Sequence, residues 1–230
     1  LLAALLLPAL AAAKEKGKRV QCLNNQRQLA TTWVMYAGDH NDRLVANGMA
    51  NPPSTDAKLW VQGVFFYASD STNSDLMLDP DYALFGDYLH TVKVYMCPTD
   101  RSTVRVGNET FPKTRSYALN AYLGWTGPMD PRLSSDHRVF LKGFELGAGM
   151  PGGTFTFQDV HPKSLCWPYF GMWMSEPSFF NFPGIAHNRG GVVSFADGHV
   201  EYRRWRDPRT IAAFSSDYHR HRDPSADNED

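Results

Sequence analysis

Residues 1–13 carry no polar or charged side chain and are interrupted only by Pro8. A helix built from them has no polar face to turn to water, so it must find cover in lipid or in protein. Thirteen residues are too few to cross a bilayer, which needs about 20. A secretory signal places its positive charges ahead of the apolar stretch, whereas Lys14, Lys16, Lys18 and Arg19 come after it. The run is therefore expected to be the remainder of a longer apolar helix, or a short helix buried against partners. Either way the protein is expected to be anchored or assembled through its N-terminus.

The helical pattern continues past the lysines. Cys22, Leu29, Trp33 and Tyr36, at offsets of 7, 11 and 14, fall on one face. Leu23, Ala30, Val34 and Ala37 flank that face, while Asn24, Arg27, Gln28 and Thr31 lie elsewhere. The spacing predicts one helix over residues 1–38 in two halves. Residues 1–13 are apolar all round; residues 14–38 are amphipathic and pack on a globular head formed by residues 39–230. Gly38, followed by Asp39, Asn41 and Asp42, predicts the cap and turn.

In the head, 18 Gly, 15 Pro and 13% aromatic residues point to short strands and many turns rather than a helical bundle. The expected fold class is α+β: a long helix packed on an antiparallel β-sheet head with loop-rich insertions. Asn51-Pro52-Pro53 reads as a loop, and residues 59–67 as a helix edge or strand. Asp79-Pro80 predicts a short helix to about Leu89. Strands are expected at 92–96, 116–123, 139–146, 154–157 and 165–174. Residues 191–195 and 199–205 bracket Ala196-Asp197-Gly198, the strongest hairpin signal in the chain. Asp207-Pro208 opens a helix through Phe214, and residues 215–230 are expected to fray.

Several of these stretches together resemble a known group. Residues 1–16 with Gln21-Cys22-Leu23-Asn24-Asn25 look like the second half of a type IV pilin-like N-terminal helix. The segment from His187-Asn188-Arg189-Gly190-Gly191 to Phe195-Ala196-Asp197-Gly198-His199 leaves nine residues between His187 and Asp197. That is the His-x9-Asp-Gly spacing of a C-terminal domain found on prepilin-type proteins. Cys97-Pro98-Thr99-Asp100 and Ser116-Tyr117-Ala118-Leu119-Asn120 are similar to two further stretches of that family. The phenylalanine at the family's cleavage site and the glutamate after it are absent, so neither can be carried over. Pro8 matches a proline often found within such helices.

The resemblance implies a leader removed by a prepilin peptidase, an inner-membrane anchor before assembly, and a polymer at the cell surface. Leu1, Leu2, Leu5, Leu6, Leu7, Pro8 and Leu10 would form the assembly helix. Burying one leucine side chain is worth about 1.5–3 kcal/mol, and five lie in the first seven residues. Pro8 removes one helix hydrogen bond and crowds the preceding turn, so a kink or melted stretch is expected there.

The chemistry-bearing residues each have a blander structural role open to them. His187, Asp197 and His199 are the compact set of metal-capable side chains in the sequence, and zinc would take them. The preferred reading is structural: Gly198 takes positive φ, Asp197 bonds its own turn amides, and His187 holds the turn or adjacent strand by a ring hydrogen bond. Val192, Val193 and Phe195 would help pack that sheet on the long helix. No metal and no cofactor are expected. Asp39, Asn41 and Asp42 read as a solvated turn rather than a calcium loop. Three cysteines allow one disulfide at most, joining two of Cys22, Cys97 and Cys166, with Cys22–Cys97 favoured because Cys22 faces the head; three buried thiols are the alternative.

Nucleophile elbows and phosphate-binding loops are absent, and an enzyme is not expected. The 23 Lys+Arg and 24 Asp+Glu nearly cancel, which leaves no broad basic face for nucleic acid. Arg203, Arg204, Arg206, Arg209, Arg220 and Arg222 are expected to pair with Glu201, Asp207 and Asp223. The aromatic set Trp167, Tyr169, Phe170, Trp173, Phe179, Phe180 and Phe182 reads as core or subunit interface first, and as a glycan platform second. Asn108-Glu109-Thr110 matches a glycosylation triplet, but such triplets also arise by chance. The expected function is thus the structural subunit of an extracellular type IV pilin-like filament. A pseudopilin of a type II secretion system and a helix-tethered surface glycan-binding module are the alternatives.

Overall fold

The periodic face of the opening segment becomes one helix, α1 (Leu2–Asp39), in a computed structural model that describes residues 2–49, 58–127, 137–147, 151–173, 178–212 and 223–230. Cys22, Asn25, Gln26, Leu29, Ala30, Trp33, Tyr36 and Ala37 are buried, a stripe at helical spacing. Val34, expected beside that stripe, faces solvent instead. Pro8 lies inside an uninterrupted helix, so the expected melted turn before it is not seen. The helix also runs through Gly38. The reversal is made by Asn41 and Asp42, which adopt positive φ (54° and 63°), with the Asp42 N–H donating to the Ala37 carbonyl at 2.8 Å.

The chain is α+β, as expected, with one long N-terminal helix and several β-sheets. Its main sheet uses β3 (Tyr117–Asn120), β4 (Phe155–Asp159), β5 (Tyr169–Phe170), β8 (Gly190–Phe195) and β9 (Val200–Arg204), in the order β5-β3-β4-β8-β9. The pairs are antiparallel except β3 with β5, which is parallel. A hairpin of β1 (Thr103–Val106) and β2 (Glu109–Pro112) carries Asn108 in its exposed turn. A small sheet joins β6 (Met172–Trp173), β7 (Ser178–Phe179) and β10 (Asp223–Pro224). Short helices α2 (Ala68–Thr72), α3 (Asp75–Leu78) and α4 (Pro208–Ile211) complete it, α4 being capped by the Asp207 side chain.

Several expected elements differ. Val92–Tyr95 is a 3-10 turn rather than a strand. The stretch after Asp79-Pro80 is a chain of turns, with Tyr82 and Ala83 N–H groups on the Asp79 carbonyl, and no helix forms there. Residues 139–146 yield isolated bridges at Phe140 and Lys142 and a 3-10 turn, Gly143–Leu146. Asp42, suggested as part of a solvated turn, accepts from the Phe144 N–H at 2.8 Å and so ties that segment to the end of α1. The last residues are held: the Asp230 carboxylate accepts from the Arg206 and Asp207 N–H groups. Asn51-Pro52-Pro53, Phe214, Arg220 and Arg222 lie outside the described residues.

α1 lies against β8, β4 and β9. Cys22, Leu29, Trp33 and Tyr36 share one core with Tyr117, Leu119, Phe157, Val160 and Val192. Strand alternation sends Val193 and Phe195 to the opposite face, where they pack with Trp205. Of the three residues expected to seat the sheet on the helix, only Val192 does so. Its carbonyl accepts from the Gln26 side chain at 2.8 Å.

Candidate functional site

Three elements meet α1 on its buried face. The buried stripe of the helix supplies Cys22. Cys97 follows the 3-10 turn Val92–Tyr95, in a loop organised by Asp100, which accepts from the Ser102 N–H at 2.8 Å and the Ser116 hydroxyl at 2.7 Å. Asp159 ends β4. His187 sits in the turn before β8, where Asn188 and Arg189 take φ of 56° and 62° and turn the imidazole inward. The glycines that follow are sterically required. A Cβ on Gly190 would collide with the Arg203 carbonyl, and one on Gly191 would lie 2.9 Å from the Gly184 carbonyl.

All four side chains are buried, and their ligand-type atoms lie within 4.8 Å of one another. The His187 Nε2 is 3.1 Å from Cys97 Sγ and 3.6 Å from Asp159 Oδ2. Cys22 Sγ is 3.5 Å from the same Asp159 oxygen and 3.2 Å from the Tyr117 hydroxyl. The Thr99 hydroxyl meets Cys97 Sγ at 2.8 Å, and the Val192 N–H donates to Asp159 Oδ2 at 3.0 Å. A cleft of about 560 Å³, lined in part by Thr99, Lys113, His161 and Ile185, reaches Cys97 and Asp159.

The electrostatics separate the two thiols. The Cys22 thiol donating to it, with help from the His187 ring, holds Cys97 down at about 5 against the cost of burial. Burial pushes Cys22 well up, and its hydrogen bond to Cys97 adds to this. Burial, then the neighbouring Cys97 charge, pushes the Asp159 carboxyl well above the usual carboxylate range. One anion is therefore shared among acidic groups in a dry site.

This is not the geometry of a nucleophile, base and orienting acid. In such a triad the carboxylate holds one ring nitrogen while the nucleophile meets the other. Here Cys97 and Asp159 both converge on Nε2.

The sequence-level sites are placed differently from one another. His187 does not bond the Asp197 turn but faces Cys97 and Asp159, so the trio with Asp197 and His199 is broken up. Asp197 and His199 pair at the exposed hairpin tip, 2.5 Å apart. Gly198 takes φ of 88°, and Asp197 accepts from the His199 N–H at 3.1 Å, which makes the expected turn. Cys22, Cys97 and Cys166 are free thiols, so the favoured Cys22–Cys97 bond is absent although the two sulfurs are neighbours.

Among the expected arginine pairings, Arg203 pairs with Glu201 and Arg209 with Asp207. Tyr169, Phe170, Trp173, Phe179, Phe180 and Phe182 are buried, with Trp167 packed partly buried beside them. Sequence reading missed Asp159 altogether, for no short motif surrounds it.

Comparison of the chain with family models, with curated proteins and with solved structures finds no match.

Proposed function

We propose that the protein is the repeating structural subunit of an extracellular type IV pilin-like filament, assembled through the apolar half of α1. The observation that carries this reading is the exposure of Leu6, Leu7 and Leu10 at 63%, 66% and 68% on a helix whose other half is embedded in the head. Residues 6–17 are all exposed. At 1.5 Å rise per residue they extend about 18 Å along the axis. No described helix is long and apolar enough to cross a membrane. A bundle of identical helices would give that stretch its cover, with leucine burial supplying the adhesion.

On this reading the partners are further copies of the chain, the prepilin peptidase, the assembly machinery, and the inner membrane before assembly. The protein is not an enzyme; convergence of two acidic groups on one imidazole nitrogen supports that view. Electron microscopy of sheared cell-surface material tests the proposal. Long fibres composed of this chain, lost in Leu6→Lys and Leu10→Lys variants whose heads keep their melting temperature, are expected. Fibre-free material with a secretion defect would favour a type II secretion pseudopilin instead.

A glycan-binding module is favoured by one observation: a cavity of about 670 Å³ lined by Trp173, Phe179, Phe195, Trp205 and Arg203. Glycan-array binding by the protein, lost in Trp205→Ala, would support it.

A further inference from the structure

We propose that Cys22, Cys97, Asp159 and His187 bind one zinc ion, which fastens the long helix to the head. The proposal does not depend on filament assembly.

Zinc binds sulfur at about 2.3 Å and nitrogen or oxygen at about 2.0–2.1 Å, so a tetrahedral site has ligand-to-ligand edges of about 3.3–3.8 Å. The observed edges include Cys22 Sγ to Asp159 Oδ2 at 3.5 Å, Asp159 Oδ2 to His187 Nε2 at 3.6 Å and His187 Nε2 to Cys97 Sγ at 3.1 Å. Three of the six edges thus lie at or just below zinc size, and all four atoms lie within 4.8 Å of one another. Two sulfurs and an imidazole select against calcium and magnesium, which take oxygen.

The surroundings suit a loaded site. Two thiolates and a carboxylate against Zn²⁺ leave a single net negative charge. The Val192 N–H on Asp159, the Tyr117 hydroxyl on Cys22 and the Thr99 hydroxyl on Cys97 are the donors that would spread it. Binding releases to solvent whatever protons the two thiols and Asp159 still hold. The cleft at Cys97 and Asp159 is the route in.

Other uses of the cluster fit less well. A Cys22–Cys97 disulfide would take the Cys22 thiol from Asp159 and leave the Val192 N–H and the His187 ring to offset the desolvation of its carboxylate. A catalytic triad needs the second ring nitrogen, which Asp159 does not contact. The four ligands come from α1, the loop after the 3-10 turn, the end of β4 and the turn before β8. One ion would therefore cross-link the N-terminal helix to both central strands.

The test is metal analysis of the full chain, purified without chelator and then incubated with zinc sulfate and desalted. About one zinc per chain is expected, falling at least tenfold in Asp159→Asn and His187→Ala and unchanged in His199→Ala. Because the first two variants could misfold, cobalt substitution of the unaltered chain gives an independent reading. Tetrahedral visible bands with a thiolate-to-cobalt charge-transfer band are expected. Chelation should lower the melting temperature of the unaltered chain but not that of a folded His187→Ala variant. A Cys22–Cys97 linked peptide as the main species, a six-coordinate cobalt spectrum, or zinc below a tenth of an equivalent would each overturn the proposal.

Discussion

The Nε2 of His187 lies 3.1 Å from the Sγ of Cys97, although 90 positions of chain separate the two residues. Neither side chain is placed by its own neighbours alone. The tight turn at Asn188 and Arg189 points the imidazole inward, and Cys97 arrives from a loop pinned by Asp100. The contact joins the sequence segment that reads as a hairpin motif to one that reads as a strand end.

Cys97 should ionise far below an ordinary thiol in the metal-stripped chain. The Cys22 thiol donates to it, the His187 ring adds to this, and together they hold it at about 5. Ultraviolet thiolate absorbance, followed against pH, should show a half-titration near that value and lose it in Cys97→Ser. Cys22→Ala should move the step upward, because alanine has no proton to donate to Cys97. A single step near the ordinary thiol value would contradict this assignment.

Asp197 should titrate below the usual carboxylate range, first because it accepts the His199 N–H and then because of the His199 ring. A carboxylate whose folded value is depressed contributes stability that is complete above its unfolded value, about 3.9, and is lost as pH falls through the folded one. The protection of amides across β8 and β9, relative to their intrinsic exchange rates, should accordingly fall below about pH 4. In Asp197→Asn the side-chain oxygen still accepts, and that acid step should disappear. The effect is small, since the carboxylate is 42% exposed.

Trp33 and Val34 are adjacent on α1 yet should respond in opposite ways. Trp33 is 3% exposed in the helix–head core, and Val34 is 48% exposed. Trp33→Ala should cost about 3–5 kcal/mol, and Val34→Ala about 0.5 kcal/mol or less. Urea denaturation of the two variants checks the contrast, and equal losses would mean that the helix docks on another face.

Arg115 is fully buried and forks between two carbonyls, those of Tyr117 and Trp167, each at 3.0 Å. Its guanidinium carbon stands 4.4 Å from the Phe65 ring centroid. Arg115→Met strands both carbonyls and should cost about 2–4 kcal/mol. Arg115→Lys should fall between that and the unaltered chain, because one ammonium cannot reproduce the planar fork. A methionine variant as stable as the parent in chemical denaturation would show that the fork is not needed.

What is legible in the chain itself is what neighbours within a few residues decide. Helical spacing of Cys22, Leu29, Trp33 and Tyr36 is enough to define α1 and the face it buries, since 3.6-residue periodicity is a local property. Asp197-Gly198 specifies its turn, because only glycine enters positive φ at little cost, and Asp207-Pro208 specifies the cap of α4 for equally local reasons. Where apolar runs were short, as at Val92–Tyr95 and Gly143–Leu146, local pattern did not separate strand from 3-10 turn, and contacts with the rest of the head settled the conformation.

The buried cluster belongs wholly to the tertiary structure. Its members stand at positions 22, 97, 159 and 187, with no two close enough in sequence to form a recognisable ligand motif. Asp159 is one of many aspartates until β4 ends beneath α1, and His187 pairs on paper with Asp197 until the turn at Asn188 swings it the other way. Local chemistry fixes the backbone's turns within a few bonds. Which distant side chains then share a desolvated volume is decided by how helix and sheet stack, because burial and electrostatic coupling act through space and not along the chain.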